Sequence, residues 1–358
     1  MYESYEVLKI KKKSGITAAR QELDFRNSHR EKIPLEGLEN TVLYMVQTGE
    51  MRQRLLSIES LYHSLDHRQK AKEIILLDAY HSATIEGART TVENVRKSYH
   101  NPYSKDDKMV VNTVHALNYA YKTPIDLHNI RYLWEIITKD VCENARLSRS
   151  LFRDGMVYVG SHTEIIHTPA KPEKIKEYME RLFLFLQEQR YNPWLNAAVF
   201  HFYFAYIHPF CDGNGRTARV ITQSYLYHCG LEKIRYLPLS RTINQKLAQY
   251  YQALKESETI HVNGEKWIDI TPFLDYSLEI AEESMLVSMR EDHAFGEREK
   301  LLIEKMQKRG KGTEINRTAT AKILHVSEQT AGRLLNGLVE KGYLDKVRRG
   351  KRYIFILK

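Results

Sequence analysis

The 358-residue sequence predicts a mainly α-helical protein that ends in a small basic unit of helices and a β-hairpin. Three observations carry that prediction. Apolar residues recur at three- and four-residue intervals over much of residues 35–292. The stretch 193–207 (PWLNAAVFHFYFAYI) is apolar nearly all round, which predicts a buried central helix. Residues 297–358 then switch to short helices followed by alternating, strand-like segments.

The elements follow in order. Residues 1–35 are polar and give no firm assignment. From 35 to 86 the pattern reads as mostly helical, with Leu55, Leu56, Ile58, Leu61, Tyr62 and Leu65 at three- and four-residue intervals. A helix over 68–86 stops naturally at Gly87. Further helices are expected at 107–121, 126–143 and 172–189. Val157, Val159, Ile165 and Ile166 are β-branched and flank Gly160-Ser161, which predicts a β-hairpin within 156–169. Helices at 214–229, 244–257 and 271–292 complete a region that reads as almost all α with one hairpin. Beyond it come helices at 297–309, 318–324 and 327–341, the last two joined by His325-Val326, then a hairpin around Arg348-Arg349-Gly350-Lys351. That order is a winged helix-turn-helix pattern. The domain division expected is 1–100 (N-terminal helical region), 101–292 (core) and 297–358 (winged helix).

The segment 208–219, HPFCDGNGRTAR, concentrates chemistry. Gly213 and Gly215 flank Asn214 directly before a helix, so backbone N–H groups can approach a ligand closely. A helix N-terminus adds positive partial charge, which makes an anion site. Arg216 and Arg219 share a helical face and carry guanidinium forks suited to phosphate oxygens. Asp212 beside phosphates is a suitable Mg²⁺ ligand. His208 is a candidate base. The loop lacks GxxxxGK[ST] and so is not a Walker loop. A plain helix–loop–helix turn would use Gly-Asn-Gly but would not need His, Asp and two Arg as well.

This segment matches the pattern HxFx(D/E)GNGRxxR at every fixed position and thereby resembles the Fic-domain family, over about residues 79–273. The resemblance implies a mainly helical core with a β-hairpin flap and, typically, transfer of AMP from ATP to a protein hydroxyl. It implies His208 as general base and Asp212 as the residue holding Mg²⁺. Gly213, Asn214, Gly215, Arg216, Thr217 and Arg219 would bind ATP, with Asn214 on the α-phosphate and Arg219 at the γ-phosphate. Tyr251 would line the adenine pocket. Gly160, Ser161, His162, Thr163, Glu164 and Ile165 would form the flap that docks the target. Phe210 reads as a core anchor and Cys211 as packing rather than a nucleophile.

Ser82-Ala-Thr-Ile-Glu86-Gly87 matches a second family motif, [ST]xxxE[GN]. Ser82 and Glu86 are four apart and share a helical face. The resemblance implies an inhibitory helix, about 68–87, whose Glu86 pairs with Arg219 and turns ATP into an unproductive pose.

Charge divides the chain. Residues 297–358 hold 16 Lys and Arg against 7 Asp and Glu, the whole of the formal net charge of +9. Only that end has a bulk electrostatic reason to meet a polyanion. Gln329 and Arg333 near the start of a recognition helix, with Arg348, Arg349, Lys351 and Arg352 in the wing, would contact DNA. Many such units dock proteins instead. Two functions therefore stand side by side: an autoinhibited AMP transferase that also modifies itself, and a DNA-binding regulator using the core as a nucleotide sensor. Another phosphoryl or nucleotidyl transfer, or removal of AMP, is a third. Self-association into a homodimer stays open.

Three cysteines without CxxC spacing exclude a disulfide framework and fit a reducing compartment. No apolar run reaches the ~20 residues of a bilayer span, and the N-terminus lacks an apolar signal core. The expected location is cytoplasmic.

Overall fold

The computed structural model describes residues 5–65, 71–142, 150–160, 165–257, 259–262, 265–293, 297–340, 342–350 and 352–358. The chain forms two compact units, Met1–Ser288 and Met289–Lys358. Residues 1–100 belong to the same unit as the core that follows them.

The first unit opens with α1 (Tyr5–Lys13) and α2 (Thr17–His29), a segment the sequence left unassigned. The helical expectation for 35–48 is wrong: β1 (Arg30–Glu36) and β2 (Val42–Val46) pair antiparallel there. Their period is two, with Ile33 and Leu35 buried on one strand and Leu43 and Met45 on the other. Pro34 is accommodated where the register shifts between Lys32 and Glu36. Helix α3 (Gly49–Ser64) follows, capped by the Thr48 side chain.

Next come α4 (Ala71–Ile85), α5 (Val92–Ser98), α6 (Lys105–Ala120) and α7 (Ile130–Thr138). Residues 68–70 of the expected helix 68–86 lie outside the described residues. The expected hairpin is present as β3 (Val159–Gly160) and β4 (Ile165–His167), paired antiparallel. Helix α8 (Pro172–Glu188) leads to α9 (Pro193–Ile207). Pro193 occupies the first helical turn and the Asn192 side chain accepts from the Trp194 N–H at 3.0 Å, which sets where α9 begins. Phe200, Phe202, Tyr203 and Phe204 are all fully buried, as the run without a polar face requires. Helix α10 (Asn214–His228) packs against α9.

The expected helix 244–257 is two, α11 (Leu239–Gln245) and α12 (Leu247–Glu256), broken at Lys246, whose φ of −113° is not helical. A second correction follows: β5 (Thr259–Val262) and β6 (Glu265–Asp269) form a hairpin, and β6 runs parallel to β2. The resulting sheet, in the order β1-β2-β6-β5, adds a second β element to a region read as having one hairpin. Leu8, Ala19 and Leu23 of the first two helices cover Trp267 of this sheet. Helix α13 (Thr271–His293) follows.

The second unit contains α14 (Glu297–Gln307), β7 (Glu314–Ile315), α15 (Arg317–Leu324), α16 (Glu328–Glu340), β8 (Leu344–Arg349) and β9 (Arg352–Leu357). The two strands expected from the sequence gain a third, β7, in the antiparallel order β7-β9-β8. His325 ends α15 with φ of 51°, and the Ser327 hydroxyl caps α16 by accepting from the Thr330 N–H at 3.2 Å. Leu302, Met306, Leu335, Leu338 and Phe355 form this unit's core.

Candidate active site

The site is built where α9 ends and α10 begins. His208 terminates α9 in the left-handed region, φ 53°, its N–H still bonded to the Phe204 carbonyl. Its ring Nδ1 lies 3.3 Å from the Ala205 carbonyl, which can only accept. Nδ1 therefore carries the proton and Nε2 is left with its lone pair. Burial pushes the His208 pKa down to about 4, with His167 and Arg153 adding to the effect and the Ala205 bond and Glu86 opposing it. The imidazole is neutral at physiological pH.

The loop from 209 to 213 is held from inside. Phe210 is buried and stacks on Trp134 at 4.8 Å, the anchor the sequence suggested. The Trp134 indole N–H donates to the Asp212 carbonyl at 2.8 Å. The Asn214 amide accepts from the Phe210 N–H at 2.9 Å and donates to the Phe210 carbonyl at 2.7 Å. Both ends of the Asn214 amide thus close the loop. Thr217, also expected with ATP, donates its hydroxyl to the Gly213 carbonyl at 2.8 Å. What these residues leave for a ligand is the bare start of α10.

Gly213 adopts φ 78°, a left-handed turn that glycine takes without strain, and starts the helix. Asp212 is 47 % exposed, and its Oδ1 accepts from the Gly213 N–H and lies 3.8 Å from Arg216 Nη2. Arg216 is buried and donates to the Ile137 carbonyl at 3.1 Å. Among the described residues, Arg216 Nε and Arg219 Nη1 are buried without a hydrogen-bond partner. Two orphaned guanidinium donors beside a helix N-terminus are what an anionic ligand would satisfy.

One anion is already there. Arg219, 3 % exposed, donates Nε to the Ser82 hydroxyl at 2.8 Å and Nη2 to the Ser82 carbonyl at 2.9 Å and to Glu86 Oε1 at 2.7 Å. Glu86 caps the C-terminus of α4. Its position is set by a Schellman closure in which Gly87, at φ 89°, donates to the Thr84 carbonyl and Ala88 to the Ala83 carbonyl. A carboxylate is disfavoured at the C-terminal end of its own helix. Here its charge reaches across to the start of α10, where it is favoured. A Cβ on Gly215 would stand 2.1 Å from Glu86 Oε1, so this contact requires glycine. The carboxylate, 29 % exposed, is opposed by burial, yet Arg219, Arg216 and His208 hold its pKa below the ordinary range.

The zipper between α4 and α10 runs further. Asp78, two turns before Glu86, accepts from Gln223 at 2.7 Å and from the Ser240 N–H and hydroxyl. Tyr121 donates to the other end of the Gln223 amide at 2.8 Å.

Of the other expected site residues, Tyr251 is exposed beside buried Tyr250, whose hydroxyl meets His201 at 3.0 Å. Gly160 lies in β3 and Ile165 in β4; Ser161, His162, Thr163 and Glu164 lie outside the described residues. Cys211 is a free, half-buried thiol that burial pushes up to about 11, consistent with packing. In the second unit Gln329, Arg333, Arg348 and Arg349 are exposed. Arg349 is paired with Glu314 at 2.7 Å. Arg352 stands in β9, and Lys351 lies outside the described residues.

Sequence reasoning missed Trp134, Asp78, Gln223 and Arg153. Each acts on an element distant in the chain, so no local pattern flags it.

Residues 124–226 match the model of the Fic/DOC family. The chain is 29 % identical over 254 residues to protein adenylyltransferase Fic of Drosophila grimshawi, covering 67 % of this chain and 48 % of the relative. It is 28 % identical over 249 residues to that of Drosophila mojavensis, covering 66 % and 45 %. It thus spans about half the length of these curated relatives. Among solved structures, a Fic family protein from Desulfovibrio desulfuricans G20 aligns with a TM-score of 0.57 at 19 % identity, over 87 % of this chain and 96 % of that one. Fic-1 from C. elegans aligns at 0.51 and 19 % identity, over 68 % and 72 %. These two likenesses concern the fold. Among the described residues, no helix is long and apolar enough to cross a membrane.

Proposed function

We propose that this chain, which carries a Fic domain, is a protein adenylyltransferase that moves AMP from ATP to a hydroxyl of a target protein, itself included, and that Glu86 restrains it. The observation that carries the reading is the ion pair between Glu86 and Arg219 at 2.7 Å over the start of α10, opposite a neutral His208.

In the reaction, the target Ser, Thr or Tyr oxygen forms a bond to the α-phosphorus while the bond to pyrophosphate breaks. The hydroxyl proton passes to His208 Nε2. The start of α10 and the Arg216 and Arg219 guanidiniums take up the phosphate charge. Asp212 fits a Mg²⁺ ion shared with phosphates, since it is a half-exposed carboxylate at the edge of an anion site and Mg²⁺ needs only one or two protein carboxylates. Such an ion would neutralise charge on the polyphosphate.

The test is incubation of the full chain with α-labelled ATP and Mg²⁺, followed by a protein gel. Label on protein supports transfer; ATP binding without label in the Glu86→Gly chain would leave a nucleotide sensor in its place.

A separate observation favours a second role. In the second unit, exposed Gln329, Arg333 and Arg348 accompany a helix–turn–helix and hairpin order. We read that unit as a winged helix that meets DNA phosphates.

A further inference from the structure

We infer that Arg153 is a positioning residue for His208, clamping the peptide that carries the imidazole to the base of the β3–β4 hairpin; this rests on the reading of His208 as the base.

Arg153 is 5 % exposed. Its Nε donates to the His208 carbonyl at 2.8 Å and its backbone N–H donates to the Pro209 carbonyl at 3.0 Å. Two successive carbonyls of the loop are therefore held by one residue. Its Nη1 donates to the Gly155 carbonyl at 2.7 Å and its Nη2 to the Ala170 carbonyl. Gly155 and Ala170 lie on the two chain segments leading into and out of the hairpin β3–β4. Phe152 adds an apolar contact, its ring 5.6 Å from Phe210.

Among the described residues, no carboxylate pairs with this guanidinium, and burial is what opposes its charge. A buried arginine used only on backbone carbonyls is an expensive way to fill space. The fork explains the choice, because its fixed N–H directions reach three separate carbonyls at once.

His208 has reason to need such a clamp. It holds a left-handed conformation, φ 53°, directly before Pro209, and the residue before proline prefers an extended backbone. Conformations of this kind persist only where the surroundings over-determine them. The Phe204 carbonyl fixes the amide side of His208, and Arg153 fixes the carbonyl side. With the clamp removed, the 208–209 peptide can relax and carry Nε2 away from the hydroxyl it must meet. A displacement of about 1 Å in such a group costs about 100-fold in rate.

The experiment measures AMP incorporation from α-labelled ATP into the full chain, with and without Glu86→Gly, for Arg153→Met, Arg153→Lys, Arg153→Ala and His208→Ala. The expected result for Arg153→Met is a maximal rate lower by roughly 10- to 100-fold, with the KM for ATP held within about twofold. Arg153→Lys keeps the charge but not the fork, and should recover only part of the rate. Arg153→Ala should regain activity with about 10 mM guanidinium ion, which can refill the vacated space, whereas a merely structural lesion would not respond. If His208→Ala is inactive while Arg153→Met transfers at the parent rate, the clamp is refuted and the base reading stands. Full transfer by His208→Ala overturns the base and the clamp with it. If none of the Arg153 variants folds by circular dichroism, or if their rates fall only in step with the folded fraction, Arg153 is a structural residue and the inference fails.

Discussion

The arginines at the candidate site of the first unit and those on the surface of the second are used in opposite ways. In Met1–Ser288, Arg153, Arg216 and Arg219 are buried and bound to backbone carbonyls, a serine and one glutamate. In Met289–Lys358, Arg333 and Arg348 stand in solvent, and Arg349 makes an exposed pair with Glu314. Net charge points to the second unit alone, because the first 296 residues sum to zero. Buried arginines act through geometry in a low-dielectric setting, where salt has little access. Exposed ones act through a field that salt screens. The same residue type thus marks a site in one unit and a surface in the other.

The largest expected effect comes from the buried side. His208→Ala should lower AMP transfer by roughly 100- to 10,000-fold, the range for loss of a general base, while ATP affinity changes little. A transfer assay beside an ATP titration checks it.

Glu86→Gly should raise self-modification by roughly 10- to 1000-fold, the span of a half-buried ion pair broken at one partner. Adding Arg219→Ala should erase the gain. Glu86→Ala controls for the second glycine beside Gly87, which costs about 1 kcal/mol of helix stability. If neither substitution at 86 raises incorporation, the pair is only a helix end.

Salt sharpens the contrast directly. A DNA gel shift by the full chain should weaken steeply between about 50 and about 200 mM salt and vanish when 297–358 is deleted. Over the same range the rate ratio of Glu86→Gly to the parent should stay within about twofold. A ratio that collapses with salt would put the brake on the surface.

The smallest effect concerns pH. Burial pushes His208 and His81 down to about 4 and His201 to about 3, from 6.5. Below 6.5 the unfolded chain takes up protons that the folded chain refuses, so stability falls with pH from about 6.5 towards 4. Urea midpoints at pH 7.5 and 5.5 should show it. The transfer rate, in contrast, should lack an acid limb at 6.5, because His208 stays neutral there.

Much of this was legible in the chain. The glycine-flanked helix start, the buried α9 and the pairing of Glu86 with Arg219 all follow from local spacing or from one motif. The sheet β1-β2-β6-β5 was not, since Val42 meets Trp267 across more than half the chain and a window of residues cannot register that partner. Asn214 and Thr217 stand in the loop as expected, and their side chains bond to the loop's own backbone. Polar side chains in a tight turn are claimed first by its own carbonyls and amides, and the sequence does not say which are spent that way.

The bare Cα of Gly215 gives the site an exclusive character. Glu86 Oε1 fills the volume a methyl group on residue 215 would take. On the proposed reading, the glutamate is in effect a tethered competitor of a nucleotide phosphate. Its local concentration is fixed by the helix that bears it and does not fall on dilution, whereas that of a free nucleotide does. On the proposed reading, raising ATP alone shifts the contest only gradually. Loosening the anchorage of α4, through Asp78 and Gln223 two turns away, shifts it in a single step.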